Sequence, residues 1–217
     1  MHEHKRKHTL YENLLSFFSG FIRWLFRVRV EGLENIPNGG CLLCCNHIDY
    51  PDAMILAASL PRSVRFLAKR ELFHIPFISW FLKKSGAIPV RRNSADLSAI
   101  KGVIQAAQNG EAVAIYPQGH RCKGKDPRAT EIRNGIGMMA YYASAPVVPV
   151  CIHLKKNRYA PFRRTHLLIG EPITYPFSEK RAGSKMYQEA SAFFFSAVCA
   201  LGENALPALP KGVQPCP

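Results

Sequence analysis

The chain has 217 residues, which is enough for one sizeable domain and too few for two comfortable ones. Its formal net charge of +14 indicates an anionic partner, such as nucleic acid, an anionic membrane surface or a phosphorylated substrate. Seven scattered cysteines, an odd number, exclude a disulfide framework and predict a reducing, cytosolic setting. Cys41 and Cys44 have a Cys-x-x-Cys spacing, but no second Cys or His pair stands at metal-ligand spacing, so we expect no metal site.

The first predicted element is an amphipathic helix that follows a basic, His-rich tail. Apolar residues recur at helical spacing over residues 9–28, with Trp24 as an interfacial aromatic and arginines beside it. Such a stripe usually packs on its own domain, but bulky aromatics with basic residues also match a helix in a membrane interface. We predict the membrane role for residues 1–28. The expected location is the cytoplasmic face of the cell membrane, as a peripheral or monotopic protein.

Short apolar runs then alternate with helical segments over residues 29–204, which we predict to form one domain. The predicted strands are 29–31, 41–45, 64–68, 87–90, 112–116, 147–152 and 166–169. This alternation predicts an α/β fold, a largely parallel mixed sheet with flanking helices, preceded by the amphipathic helical segment. Residues 205–217 are rich in proline and are predicted to be disordered.

The junction that follows strand 41–45 carries the first candidate site. Asp49 is a predicted helix N-cap, Pro51 fits the first turn of the helix, and Asp52 falls within that turn. Across the turn, the Asp52 carboxylate can reach the His47 imidazole and leave its other ring nitrogen free to accept a proton. Taken alone, the junction supports a catalytic pair and a plain helix cap about equally.

Two further strand ends carry basic residues at the same predicted edge of the sheet, where ligands of parallel sheets bind. Strand 87–90 ends in Arg91 and Arg92, and guanidinium groups suit a phosphate. A basic strand end is often only a solvated rim, but three polar strand ends on one edge favour a binding site. The residues after strand 112–116 include Gln118, Gly119, His120 and Arg121.

Together these motifs resemble the lysophospholipid acyltransferase family, whose best-known members are the 1-acyl-sn-glycerol-3-phosphate acyltransferases. The family's first motif is Asn-His, four residues and Asp, and it is matched by Asn46, His47 and Asp52. The remaining motifs follow in the family's order. A glycine-rich strand end closing in Arg matches 86–92, a Pro-x-Gly-x-Arg pattern matches 117–121, and an apolar strand with a central proline resembles 145–150.

The sequence departs from the family pattern at three positions. Asp49 stands where Ser is usual, Gln118 replaces Glu, and His120 replaces Thr. The departures bear on the identity of the acceptor more than on the chemistry, because His47 and Asp52 are intact.

The resemblance implies transfer of a fatty acyl chain from acyl-CoA or acyl carrier protein to a lysophospholipid hydroxyl. The implied acceptor is lysophosphatidic acid, 1-acyl-sn-glycerol-3-phosphate, and the product is phosphatidic acid. His47 would act as general base and Asp52 would hold its imidazole, with no cofactor needed. The residues assigned to substrate binding are Asn46, Lys69, Arg92, Gln118, Gly119, His120 and Arg121.

Two alternatives stay open at this point. One is an acyltransferase for a different lysolipid or an amino-lipid. The other is a non-catalytic basic module that binds a membrane or nucleic acid. The net charge and the altered motif at 117–121 support this alternative. The presence of both His47 and Asp52 argues against the second alternative, and we expect no nucleic-acid partner.

Overall fold

A sheet of seven strands forms the centre of the protein, for which a computed structural model describes residues 10–91, 96–177 and 183–203. The strand order across the sheet is β1-β7-β6-β2-β5-β3-β4. β2 to β6 all run parallel, whereas β7 pairs antiparallel with β6, and β1 runs alongside β7. The strands are β1 (Val28–Glu31), β2 (Cys41–Cys45), β3 (Val64–Lys69), β4 (Ile88–Val90), β5 (Ala112–Ile115), β6 (Val147–Leu154) and β7 (Thr165–Ile169). The predicted largely parallel mixed sheet is therefore confirmed, and each predicted strand is present.

The described ranges contain six α-helices. They are α1 (Leu10–Leu25), α2 (Pro51–Ser59), α3 (Pro76–Lys84), α4 (Leu97–Gln108), α5 (Gly135–Ala143) and α6 (Ser184–Glu203). α4, α5 and α6 pack on one face of the sheet, and α2 packs on the other with α1 against it. The side chains of α1 are described from Phe18 onwards. The predicted tail 205–217 and Arg92 lie outside the described residues.

The central strand β2 shows why its sequence is apolar throughout. All five of its residues are buried, because both faces of the sheet are covered. Leu42 and Cys44 join the core beneath α4, α5 and α6, and Cys41, Leu43 and Cys45 join the core on the opposite face. This alternation is the two-residue period of a strand.

The parallel register brings several strand ends to one edge of the sheet. Cys44 of β2 lies beside Ile115 of β5, so the segments that follow the two strands emerge next to each other. β3 is parallel to β5 and ends at Lys69 on the same edge. β4 is parallel to β3, so the predicted convergence of the ends of β2, β4 and β5 is confirmed.

The N-terminal segment forms the predicted helix, α1, and its amphipathic character is visible at the surface. Phe18, Phe21 and Trp24 are all about half exposed or more. Across the described ranges, no helix is long and apolar enough to cross a bilayer.

Candidate active site

The loop between β2 and α2 brings His47 and Asp52 into contact. His47 Nδ1 lies 2.6 Å from Asp52 Oδ2, and the same oxygen accepts the N–H groups of Ile48 at 2.6 Å and Asp49 at 3.0 Å. A carboxylate can only accept, so Nδ1 carries the proton and Nε2 is left as an acceptor. Asp52 is fully buried, whereas 16% of the His47 side chain is exposed. The contact predicted from the turn is therefore present.

Asp49 is not the N-cap of α2 that the sequence predicted. Tyr50 occupies the N-cap position of α2 with a helical backbone and no capping side-chain bond. The Asp49 carboxylate instead lies 2.7 Å from Lys123 Nζ, and the hydrogen bond from Lys123 lowers the pKa of Asp49. The N-cap prediction for Asp49 was wrong: of the backbone N–H groups of this turn, its carboxylate accepts only that of the adjacent Tyr50, at 3.0 Å, and Asp52 accepts the N–H groups of Ile48 and Asp49.

Tyr159 completes the surroundings of Asp52 and carried no motif in the sequence. Its hydroxyl donates to Asp52 Oδ1 at 2.5 Å from 107 residues away in the chain. Burial raises the pKa of Tyr159 well above its ordinary value, so the hydroxyl keeps its proton and stays a donor. The only sequence feature that could have indicated this contact is a tyrosine soon after β6, a strand that ends at the same edge of the sheet as β2.

The other side of the imidazole is covered by an aromatic ring. Tyr116 stacks on His47 with ring centroids 4.3 Å apart and an interplanar angle of 24°. Its hydroxyl is buried and finds no hydrogen-bond partner in the described part of the chain. The imidazole is thus fixed between the ring of Tyr116 and the carboxylate of Asp52, with its position set by β5 as well as by β2.

Two residues predicted to bind substrate are instead fully engaged inside the protein. Asn46 donates to the carbonyl oxygen of Ile152 at 2.9 Å and accepts from the N–H of Ile152 at 2.7 Å. Gln118 accepts the N–H of His47 at 2.5 Å and donates to Thr130 Oγ1 at 2.7 Å. Both side chains are almost completely buried. Their placement favours a role in positioning the two loops over contact with a ligand.

The loop after β5 turns at Gly119, whose φ of +69° favours glycine. The Arg133 side chain fills the space beside it, with Nε 2.8 Å from the place that a Cβ would occupy. The N–H of Gly119 donates to the carbonyl oxygen of Tyr116 at 2.9 Å, so this amide is already used. Beyond the turn, His120 Nδ1 donates to the carbonyl oxygen of Gln118 at 2.9 Å. A glycine is needed here for the turn and for its packing.

The loop between β2 and α2 and the loop after β5 are joined by a backbone hydrogen bond as well as by side chains. The N–H of Cys122 donates to the carbonyl oxygen of His47 at 2.8 Å. The guanidinium carbon of Arg121 lies 3.6 Å from the ring centroid of Tyr50, which precedes α2. Arg121 is exposed and stands next to the His47 loop. The guanidinium predicted to bind phosphate thus lies against the loop that carries His47 and Asp52.

Lys69 is placed differently from Arg121. It ends β3 on the active-site edge, and its Nζ lies 3.4 Å from Glu71 Oε1. Both side chains of this ion pair are substantially exposed, so the pair is weak and Lys69 is available to a ligand.

Comparison with known proteins defines the class to which this arrangement belongs. A family model described as Acyltransferase matches residues 27–153, more than half of the chain and every motif discussed above. The chain belongs to the acyltransferase family. The predicted family and enzyme class are confirmed.

Three similar proteins indicate which acyltransferases this chain resembles. A 1-acyl-sn-glycerol-3-phosphate acyltransferase of Bacillus subtilis is 33% identical over 150 residues, which cover 67% of this chain and 73% of that protein. The chloroplastic 1-acyl-sn-glycerol-3-phosphate acyltransferase BAT2 of Brassica napus is 29% identical over 58% of this chain and 37% of its own length. The crystal structure of the 1-acyl-sn-glycerophosphate (LPA) acyltransferase PlsC from Thermotoga maritima matches with a TM-score of 0.69 and 25% identity, over 91% of this chain and 81% of that chain.

Proposed function

We propose that this protein transfers a fatty acyl chain from a thioester donor, acyl-CoA or acyl carrier protein, to lysophosphatidic acid and so forms phosphatidic acid. The names of its relatives support this acceptor. The observation that carries the proposal is the imidazole of His47, held by a fully buried carboxylate 2.6 Å away. A positioned imidazole with one free nitrogen is suited to remove a proton from a hydroxyl.

The proposed reaction needs no covalent intermediate on the protein. His47 Nε2 accepts the proton of the acceptor hydroxyl as the hydroxyl oxygen attacks the thioester carbonyl carbon. When the tetrahedral intermediate collapses, the C–S bond breaks, and the imidazolium returns its proton to the leaving thiolate. Asp52 stabilises the imidazolium between these two steps.

The oxyanion that forms on the thioester carbonyl requires hydrogen-bond donors. The N–H of Gly119 is excluded, because it is bonded within its own turn. The next two N–H groups, those of His120 and Arg121, have no hydrogen-bond partner among the described residues. We assign the oxyanion to these two donors, which lie in the loop whose backbone is bonded to His47.

The acceptor phosphate is assigned to the cations on the same edge. Arg121 is the main candidate, since its guanidinium is exposed and oriented by Tyr50. Lys69, Arg92 and His120 complete the proposed group, and Arg92 lies outside the described residues.

The membrane assignment rests on α1. Its exposed Phe18, Phe21 and Trp24 lie beside Arg23 and Arg27, the combination of an interfacial helix. We propose that α1 rests on the anionic cytoplasmic face of the membrane, where a lysolipid acceptor is found.

The test is a substrate panel with the purified full chain. Lysophosphatidic acid, other lysophospholipids and an amino-lipid acceptor are each combined with acyl-CoA and with acyl carrier protein donors, and products are identified by mass spectrometry. We expect phosphatidic acid as the main product. Lipid binding without any acylated product would support the non-catalytic alternative, and faster acylation of another lysolipid would assign a different acceptor.

A further inference from the structure

A second apolar surface lies on the segment that joins β3 to β4. After β3 the chain forms a short 3-10 turn, Arg70–His74, and continues into α3. Six large apolar side chains of this segment are exposed: Leu72, Ile75, Phe77, Ile78, Trp80 and Phe81. We refer to these six residues as the α3 patch.

α3 is oriented opposite to a normal surface helix. Such a helix turns its apolar stripe to the core and its polar side to water. In α3 the one buried residue is the polar Ser79, whereas Phe77 is 79% exposed. α4 shows the usual arrangement, since its buried residues are Ala99, Val103, Ala106 and Ala107. The apolar face of α3 is therefore turned to solvent, which is typical of a surface that docks on a partner.

The contacts of α3 agree with this orientation. α3 packs mainly against the 3-10 turn that precedes it, whereas α4, α5 and α6 pack on the sheet or on one another. The rings of Phe77 and Trp80 stack with centroids 6.3 Å apart, and both remain exposed.

Charge indicates what the partner is. Lys69 and Arg70 precede the patch and Lys83 and Lys84 end α3, all four exposed, against the single acidic residue Glu71. Exposed aromatic and aliphatic side chains flanked by lysine and arginine are the pattern of a segment that inserts into an anionic lipid interface. Long basic side chains can extend from the apolar layer to the lipid phosphates. We propose that the α3 patch docks on an anionic lipid surface, as a contact separate from α1.

The location of the patch gives this contact a role, which rests on the proposed function. The 3-10 turn at Arg70–His74 touches the ends of β3 and β4, on the edge of the sheet that carries His47 and Arg121. A lipid surface against the α3 patch would adjoin the edge at which a lysolipid must enter. Docking through α1 and through the α3 patch would then fix the orientation of the active site on the membrane.

The two tryptophans of the chain allow a test of each surface separately. Trp24 belongs to α1 and Trp80 to the α3 patch, so Trp24→Phe leaves Trp80 as the sole reporter and Trp80→Phe leaves Trp24. Each variant is mixed with phosphatidylcholine vesicles with or without phosphatidylglycerol, and quenching by brominated acyl chains is recorded. We expect Trp80 emission to shift to the blue and to be quenched on phosphatidylglycerol vesicles, less so at high salt.

Two results would overturn the docking proposal. One is unchanged Trp80 emission while the protein co-sediments with the vesicles. The other is a comparable blue shift without lipid, produced by acyl carrier protein or by raising the protein concentration, which would assign the patch to a protein partner or to a second copy.

A matched pair of serine variants tests the patch by affinity. Phe77→Ser removes its most exposed aromatic, and Phe193→Ser removes an exposed phenylalanine of α6 on another face. We expect Phe77→Ser to weaken vesicle binding on the order of tenfold, whereas Phe193→Ser changes it less than about twofold. Equal effects of the two variants, or none from Phe77→Ser, would contradict the assignment.

Turnover of detergent-dispersed lysophosphatidic acid separates the two proposals. We expect Phe77→Ser to retain it, because Phe77 does not touch the proposed catalytic residues. If neither the wild type nor the variant turns over any acceptor, the proposed function fails. The docking proposal stands in that case if the affinity difference persists.

Discussion

The hydroxyl of Tyr159 donates a 2.5 Å hydrogen bond to Oδ1 of Asp52, the carboxylate that holds His47. With the N–H groups of Ile48 and Asp49, this makes four donors around one buried carboxylate. Three of the four come from the turn itself, and Tyr159 alone comes from the segment that follows β6. Tyr159 therefore fixes the Asp52 carboxylate from the opposite side, and we predict that it acts on the proposed reaction through this carboxylate.

Tyr159→Phe should slow acyl transfer without altering how the acceptor binds. Losing one hydrogen bond to a charged group costs about 1.5 kcal/mol or more, which corresponds to roughly tenfold in rate. Tyr116→Phe is the matched control, because it keeps the ring beside His47 and removes a buried hydroxyl that has no hydrogen-bond partner among the described residues. We expect that control to be as stable as the wild type or more so. Steady-state kinetics decide the point, and equal kcat losses in both variants would contradict a positioning role for Tyr159.

His47→Ala should abolish transfer while leaving the fold intact. Removal of a general base typically costs about 100- to 10,000-fold in rate, and alanine keeps the backbone N–H of this position that donates to Gln118. Asp52→Asn should also abolish transfer, but the structure predicts a loss of stability as well. An amide offers one oxygen to four donors and turns its own N–H₂ toward some of them, which leaves buried donors unpaired. Near-normal turnover by folded His47→Ala protein, checked by circular dichroism, would reject the mechanism.

The order of elements and the main polar contact follow from local sequence, which is why they could be predicted. A run such as Cys41–Cys45 is apolar on both faces only when both faces are covered, and its neighbour β5 reads the same way. The contact between His47 and Asp52 spans a single turn, so spacing alone brings the two side chains within reach.

Contacts made across the fold could not be predicted in this way. Tyr159 meets Asp52 from 107 residues away, and no local pattern marks such a pair. Sequence placed Asn46 and Gln118 correctly at the edge of the sheet but could not show that their amides point inward. Asp49 and Asp52 are equally suited to accept N–H groups by composition, and only the backbone path decides between them.

The inward position of Asn46 leads to a prediction about stability rather than binding. Asn46→Ala leaves the buried N–H and carbonyl of Ile152 without their partner, which costs about 1–3 kcal/mol of unfolding free energy. Asn134→Ala is a suitable control, because Asn134 is exposed and forms no capping side-chain bond. Urea unfolding should show a clear loss for Asn46→Ala and a change within about 0.5 kcal/mol for the control. Unchanged stability together with a raised KM would restore Asn46 to the substrate-binding group.

Asp96 makes the stability of the protein depend on pH at the start of α4. Its carboxylate accepts the hydroxyl of Ser98 at 2.6 Å and the N–H groups of Ser98, Ala99 and Arg91, and these bonds, that of the Ser98 hydroxyl foremost, lower the pKa of Asp96. A lowered folded-state pKa stabilises the protein above the unfolded value of about 4 and loses this effect as the pH falls through the folded-state value. The stability gap between wild type and Asp96→Ala should therefore be full at neutral pH and narrow in acid.

A neutral cap provides the control for that experiment. Asp96→Asn keeps the capping oxygen but has no charge to titrate, so its gap to Asp96→Ala should not vary with pH. Denaturant midpoints measured from neutral pH to below about pH 4 give both comparisons. A gap between wild type and Asp96→Ala that is constant over this range would show that the charge of Asp96 adds nothing.

Arg121 should give the enzyme a preference for lysophosphatidic acid over lysophosphatidylcholine. Its guanidinium is exposed and stacked on Tyr50, where it can pair with a phosphomonoester of up to two charges. Lysophosphatidylcholine offers one phosphate charge and a bulky cation. We expect catalytic efficiency to favour lysophosphatidic acid on the order of tenfold, since a charge-assisted bond is worth about 1.5 kcal/mol or more.

Substitutions at two positions test this preference. Arg121→Lys should reduce it strongly, because an ammonium cannot form the bidentate contact of a guanidinium or replace its stacking on Tyr50. Gln118→Glu should change it only modestly, because the Gln118 side chain is buried and bonded to His47 and Thr130. Competition between the two acceptors gives the ratio of catalytic efficiencies directly. If the wild type acylates lysophosphatidylcholine as efficiently or better, Arg121 does not bind the phosphate, and its contact with Tyr50 serves to join the two loops.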